Sequence, residues 1–180
     1  MLSKLSAFLL KIWGWKVLGP PPDMNKYICI VAPHTSAWDF PIGVLLRSSI
    51  KGDIKFVAKK SLFRPPLGWI LRALNGVSVD RSKNTNFVDA VVNEYNKREK
   101  CAIQIAPEGT RERVEKFKTG FYYIAKKADI PVIMIKFDFA NKEVVIRPPF
   151  YLTDDMEKDF EVIYDYFRGT IGKRPEKSFL

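Results

Sequence analysis

The sequence predicts an α/β fold: a single domain with a mostly parallel sheet, helices on both of its faces, and an amphipathic helix at the N-terminus. Three observations lead there. Short apolar runs alternate with longer segments of helical periodicity along most of the chain, the pattern that strand–helix–strand units leave in a sequence. The run 26–32 is apolar throughout after its first residue, as in a parallel strand buried on both faces. The chain has 180 residues, 47% apolar and 28% charged, which suits one domain with a real core. No internal repeat, low-complexity segment or second domain is visible.

Residues 2–18 place Leu5, Leu9, Ile12 and Trp13 on one helical face and Lys4 and Lys11 on another. The stretch is too short and too often interrupted by lysine to span a bilayer, and it lacks the small-residue cleavage site of a signal peptide. Trp13 and Trp15 suit a lipid–water boundary. Both an interfacial helix and a helix packed on the protein's own core fit. Gly19-Pro20-Pro21-Pro22 ends it as a stiff connection, so residues 1–22 form an N-terminal helix and linker and residues 23–180 the main domain. There the expected order is strand 26–32, helix 38–47, strand 54–58, a short helix ending near Leu74, and strand 77–79. Helix 84–98, strand 101–106, helix 120–128, strand 131–137 and strand 142–147 follow. A last helix, 153–168, has Thr153 as its cap.

Two stretches at strand ends carry chemistry. Val31-Ala32-Pro33-His34-Thr35-Ser36-Ala37-Trp38-Asp39-Phe40 holds the one histidine of the chain, five residues before a carboxylate. Histidine exchanges a proton near neutral pH most readily. A carboxylate on one ring nitrogen fixes the tautomer and leaves the other nitrogen to draw a proton from a hydroxyl. Taken alone, the spacing favours a histidine that merely fills a loop or caps a helix. The second stretch is Pro107-Glu108-Gly109-Thr110-Arg111. In doubly wound sheets, ligands sit beyond the carboxyl ends of strands, and both stretches fall there.

Composition narrows the partners. Thirty Lys and Arg against 20 Asp and Glu leave a net charge of +10, which suits an anionic partner. No zinc finger, RNP-like block or long basic helix points to nucleic acid. One histidine excludes a histidine-rich metal site, and Cys29 and Cys101, both in apolar runs, read as buried free thiols rather than a disulfide framework.

Together the motifs resemble those of the glycerolipid (lysophospholipid) acyltransferase family. His34 to Asp39 matches its His-x4-Asp motif and Glu108 to Arg111 its Glu-Gly-Thr-Arg motif. Gly76-Val77-Ser78-Val79-Asp80-Arg81 is similar to the glycine-to-arginine block between them, and Ile130-Pro131-Val132-Ile133 to the proline-centred strand after them. The resemblance covers roughly residues 27 to 150, and either motif alone is weak. Pro33, where the family often has asparagine, is a departure expected to change loop geometry.

The resemblance implies transfer of a fatty acyl group from acyl-CoA or acyl-carrier protein to the hydroxyl of a lysophospholipid such as 1-acylglycerol-3-phosphate, with no metal and no other cofactor. His34 would be the general base and Asp39 its orienting partner. Arg111 and Arg81 would fork onto the acceptor's phosphate, joined by Lys59, or by Lys60 in its place. Glu108 would anchor backbone amides or an arginine or meet the acceptor's hydroxyls, Gly109 would permit a tight turn, and Thr110 would lend a hydroxyl. No Gly-x-Ser-x-Gly elbow offers a serine nucleophile. Phe40, Phe63, Leu67, Trp69, Ile70 and Leu74 are candidate walls for the acyl chain, or core. The expected place is the cytoplasm, peripheral on the inner face of an anionic membrane. Two other readings stay open: an acyltransferase for another acceptor, such as an amino-acid-linked lysolipid or another alcohol, and a non-enzymatic basic protein that binds membranes.

Overall fold

The computed structural model describes residues 2–79 and 84–179. In chain order they form α1 (Leu2–Ile12), β1 (Lys16–Leu18), β2 (Lys26–Ala32), α2 (Asp39–Ser49), β3 (Ile54–Lys59), a 3-10 turn (Lys60–Phe63), α3 (Leu67–Ala73) and β4 (Gly76–Val79). Then come α4 (Asn84–Asn96), β5 (Cys101–Ile105), α5 (Gly120–Ala128), β6 (Val132–Asp138), β7 (Glu143–Ile146), α6 (Met156–Phe167) and a second 3-10 turn (Pro175–Lys177). The strands make one sheet in the order β1-β7-β6-β2-β5-β3-β4. From β6 to β4 every neighbouring pair is parallel. β7 is antiparallel to β6, and β1 is parallel to β7. The α/β architecture is therefore as expected, with an opposed pair of strands at one edge.

β2 sits at the centre because nothing in it after Lys26 needs water. Ile28, Cys29, Ile30 and Ala32 have no exposed surface. Ile28 and Ile30 face α4, α5 and α6, whereas Cys29 and Val31 face α1 and α2. Truncating any of these isoleucines to alanine would cost about 2–5 kcal/mol. The two cysteines are free and buried.

The connections position the site. From the end of β2 the chain crosses through α2 on one face, and from the end of the adjacent β5 it crosses through α5 on the other. The two loops diverge at this switch point and open a crevice between them. One loop carries His34 and the other Glu108.

Two expectations are corrected. The N-terminal helix does not run to residue 18. Gly14, at φ +80°, takes the left-handed position, and the amides of Gly14 and Trp15 reach back to the carbonyls of Lys11 and Leu10, the double bond that closes a helix on glycine. Lys16–Leu18 then pair with β7. Trp15 is buried, edge-on to Phe139 at 4.8 Å, and belongs to the core rather than to a lipid boundary. At the other end, Asp155 caps α6 by accepting the amide of Lys158, and Thr153 lies outside the helix, its hydroxyl donating to Asp159. Asp155, two residues further on, sits at the N-cap position and reaches the orphan amide of Lys158, which Thr153 lies too far back to meet.

α1 rests on α2 through a narrow stripe. Ser6 and Leu10 are buried, and the Ser6 hydroxyl donates to Ser48 at 2.8 Å. Leu2, Leu5, Phe8 and Ile12 remain exposed. The helix thus packs on the protein and still presents an apolar face outward.

Candidate active site

After Ala32, the last residue of β2, the chain turns through 33–38 and enters α2 at Asp39. Asp39 shapes this loop. Its Oδ2 accepts from His34 Nδ1 at 2.8 Å and from the amides of Thr35 and Ser36 at 3.0 Å each. One carboxylate oxygen therefore folds the backbone and orients the ring together. With Nδ1 committed as a donor to Asp39, Nε2 is left as the acceptor, the form a general base needs. The Asp39 side chain is 6% exposed and that of His34 29%, so the carboxylate is sheltered while the imidazole meets the crevice.

The loop after β5 closes on the first one. Glu108 is buried, and its Oε1 accepts the His34 amide at 2.8 Å. Its other oxygen, like Asp39 Oδ1, is buried without a partner among the described residues. Burial raises the Glu108 carboxyl above the usual carboxylate range, and the charge of Asp39 adds to this; the His34 amide opposes it. Glu108 therefore ties the second motif to the backbone of the first from beneath, the amide-anchoring place among those considered for it. Gly109 takes φ +67°, and a Cβ there would lie 2.8 Å from Lys118 Cδ. The Lys118 amide in turn donates to the Pro107 carbonyl. Thr110 Oγ1 accepts the Glu112 amide at 3.3 Å.

From His34 a groove of about 520 Å³ runs between α2 and α3 over the sheet. His34, Asp39, Gly109, Thr110 and Arg111 line its mouth, and Phe40, Val44, Phe56, Leu67 and Leu71 line its length. Arg47 also lines it and donates to the carbonyls of Ile54 and Leu74, tying α2 to the start of β3 and the end of α3. A proton acceptor, an exposed cation and an apolar trench thus share one crevice.

The acyltransferase family model matches residues 21–137, a span containing both motif loops and most of the groove. This chain belongs to the acyltransferase family. Among solved structures, the acyltransferase is similar to the crystal structure of the 1-acyl-sn-glycerophosphate (LPA) acyltransferase PlsC from Thermotoga maritima. That likeness has 21% sequence identity and a TM-score of 0.63, over 92% of this chain and 74% of that one. At such identity it establishes the shared fold. No curated protein gives a significant match.

Of the residues the sequence singled out, the acyltransferase brings His34, Asp39, Gly109, Thr110 and Arg111 into one crevice, with Glu108 buried against the His34 backbone. Arg111 is exposed and has no carboxylate partner among the described residues. Lys59 closes β3 at the same end of the sheet, but its side chain, that of Lys60, and the whole of Arg81 lie outside the described residues. The expected walls divide. Phe40 and Leu67 line the groove. Phe63 is buried, with the Arg72 guanidinium 5.7 Å from its ring centre, and Leu74 is half-buried at the end of α3. Trp69 and Ile70 point out to solvent at 66% and 56% exposure. The short turn before α3 sets which helical face meets the sheet, and residue type alone does not reveal that phase. Lys118 was missed. Nothing in its local sequence announces that its amide folds back on Pro107 and lays its stem over Gly109.

Proposed function

We propose that this acyltransferase transfers a fatty acyl group from the thioester of acyl-CoA or acyl-carrier protein to the hydroxyl of a lysophospholipid such as 1-acylglycerol-3-phosphate. The observation that carries the reading is the His34–Asp39 pair, 2.8 Å apart, at the mouth of an apolar groove beside Arg111, which has no carboxylate partner among the described residues. His34 Nε2 takes the acceptor's hydroxyl proton as that oxygen attacks the thioester carbonyl. The tetrahedral intermediate collapses, the carbon–sulfur bond breaks, and the departing thiolate takes the proton from the imidazolium. Asp39 stabilises the imidazolium in between. Such general-base assistance is worth about 10²- to 10⁴-fold. Holding hydroxyl and thioester together supplies more.

The groove would hold the acyl chain, and Arg111 would hold the acceptor's phosphate, its planar donors matching paired oxygens. Arg81 and Lys59 remain proposed contributors to the same phosphate. Gly109 and Thr110 shape the loop from which Arg111 projects. The surface fits contact with a membrane. α1 exposes Leu2, Leu5, Phe8 and Ile12, and α3 exposes Leu67, Trp69 and Ile70, with Lys4 and Lys11 also exposed on α1. An apolar face beside lysines suits an anionic lipid surface. No helix among the described residues is long and apolar enough to cross a membrane.

The test is a thiol-release assay with several acyl-CoAs, with and without lysophosphatidic acid, followed by a panel of other lysolipids and alcohols. Acceptor-dependent thiol release that disappears in His34→Ala, with the fold intact, is the expected result. Full turnover in His34→Ala would overturn the mechanism. Release with other acceptors alone would move the assignment to one of those.

A further inference from the structure

The family match ends at residue 137, yet the chain returns to the catalytic crevice well after that point. Behind α6 the C-terminal segment 170–179 runs past the end of β6, where the Phe139 amide donates to the Ile171 carbonyl at 2.8 Å. It then lies against both motif loops. Gly172 is buried, and its amide donates to Ser178 Oγ at 2.9 Å, so the segment is folded on itself there. A Cβ on Gly172 would stand 2.5 Å from Thr35 Oγ1 and 2.6 Å from Thr35 Cγ2, with Pro33 Cγ at 3.2 Å. The Arg174 amide donates to that same Thr35 hydroxyl at 3.2 Å. Further on, Lys177 pairs with Glu112 at 2.6 Å. Phe179 packs on Phe117 at 4.5 Å, beside Lys118 and its bond to Pro107.

Thr35 is the point of leverage. It follows His34, it is 2% exposed, and its amide is one of the three donors on Asp39 Oδ2. Its side chain is held by Gly172 and the Arg174 amide, and its backbone holds Asp39, which holds the imidazole. A displaced Thr35 side chain therefore drags the donor set of the catalytic carboxylate. The Lys177–Glu112 pair reaches solvent and carries little energy by itself; the backbone and steric contacts at Thr35 carry the coupling.

We propose that segment 170–179 is a clamp on the catalytic loop, in which Gly172 is a positioning residue that acts through Thr35 to keep His34 and Asp39 in register. The proposal rests on the general-base reading of His34. Because the protein has a single histidine, its ring nitrogens give one unambiguous NMR signature that reports tautomer and environment without any activity measurement. Gly172→Ala should alter that signature and lower kcat about 10- to 100-fold, the scale of a small misplacement of reacting groups, while KM for both substrates stays near wild type. Thr35→Ser, which keeps the hydroxyl, should behave as wild type. In Thr35→Ala the two closest crowding atoms are gone and only Pro33 Cγ, at 3.2 Å, still presses on the new methyl, so adding Gly172→Ala to it should cost far less than it does in the wild-type protein, and the two Thr35→Ala variants should have similar ring signals and kcat.

The clamp is overturned if Gly172→Ala leaves the ring signals and kcat unchanged, or if its effect multiplies fully with that of Thr35→Ala. Where Gly172→Ala fails to fold, Thr35→Ala decides: unchanged His34 ring signals and kcat overturn the proposal, and altered ones together with a wild-type Thr35→Ser support it. If the wild-type protein transfers no acyl group, the functional reading fails, and the ring signals still settle the coupling of segment to loop.

Discussion

Replacing Asp39 with asparagine separates what its charge does from what its shape does. Three donors converge on Oδ2: His34 Nδ1 at 2.8 Å and the Thr35 and Ser36 amides at 3.0 Å. An asparagine amide oxygen can occupy the same place and accept the same bonds, so the loop should survive. What disappears is the charge facing the imidazolium. Charged hydrogen bonds are worth about 1 kcal/mol more than neutral ones, which sets a floor near a fivefold loss of kcat. A ceiling of about 10⁴-fold applies if the neutral side chain also lets the wrong tautomer accumulate. The melting temperature of Asp39→Asn should stay within a few degrees of wild type. Asp39→Ala should behave differently. It strips both sheltered amides of their acceptor, at about 1–3 kcal/mol each, and should melt clearly earlier as well as lose turnover. Thiol release from acyl-CoA measures the first effect and thermal unfolding the second. Wild-type turnover in a folded Asp39→Asn would refute the role of the carboxylate and the general-base chemistry that depends on it.

Three further outcomes follow from the geometry. The raised Glu108 carboxyl means that the folded protein keeps a proton the unfolded chain releases, so stability falls as pH rises from the ordinary glutamate value through the folded one. Glu108→Gln removes that slope, and its melting temperature should gain on wild type across the window and then run parallel; parallel curves throughout would contradict the shift. Gly43 lines the groove, and a Cβ there meets Phe137 Cζ at an ordinary 3.8 Å, so Gly43→Leu should fold and fill the trench. Its acyl-chain series should shift to shorter donors, with kcat/KM falling about fourfold per excluded methylene at 0.8 kcal/mol each; an unchanged profile would place the chain elsewhere. Leu5→Glu with Phe8→Glu alters side chains 52% and 58% exposed, so stability should move by no more than about 0.5 kcal/mol per site. Sedimentation with anionic vesicles should show the loss of binding, and full retention would make the face of α1 merely structural.

The parts of this protein legible in its sequence are those in which a local rule meets a chemical need. The run 26–32 reads as a strand buried on both sides and is one from Tyr27 onward, and a lone histidine five residues before an aspartate, weak by its spacing alone, stands out once the second motif downstream is set beside it. Both motifs fell at strand ends because the alternation of elements placed them there. What escaped was decided by contacts far along the chain. Lys16–Leu18 form too short a strand to leave a period, and their pairing with residues 143–145 is invisible from either side. Trp15 has the composition of a boundary residue, but its burial depends on Phe139. The roles of Thr35 and Gly172 exist only because 137 positions of chain return to the same spot.

That short first strand changes what the N-terminus can be. Its backbone bonds to β7 occupy the margin of the sheet, so α1 is stitched to the body at its middle, by Ser6 on Ser48, and just past its C-terminal end, by Lys16 beside Glu143. The helix cannot swing like a tether. Whatever its outward face rests on, the mouth of the groove meets at a constant angle. Cutting the N-terminus away would also bare the backbone groups of β7, a naked margin that invites other chains to add themselves.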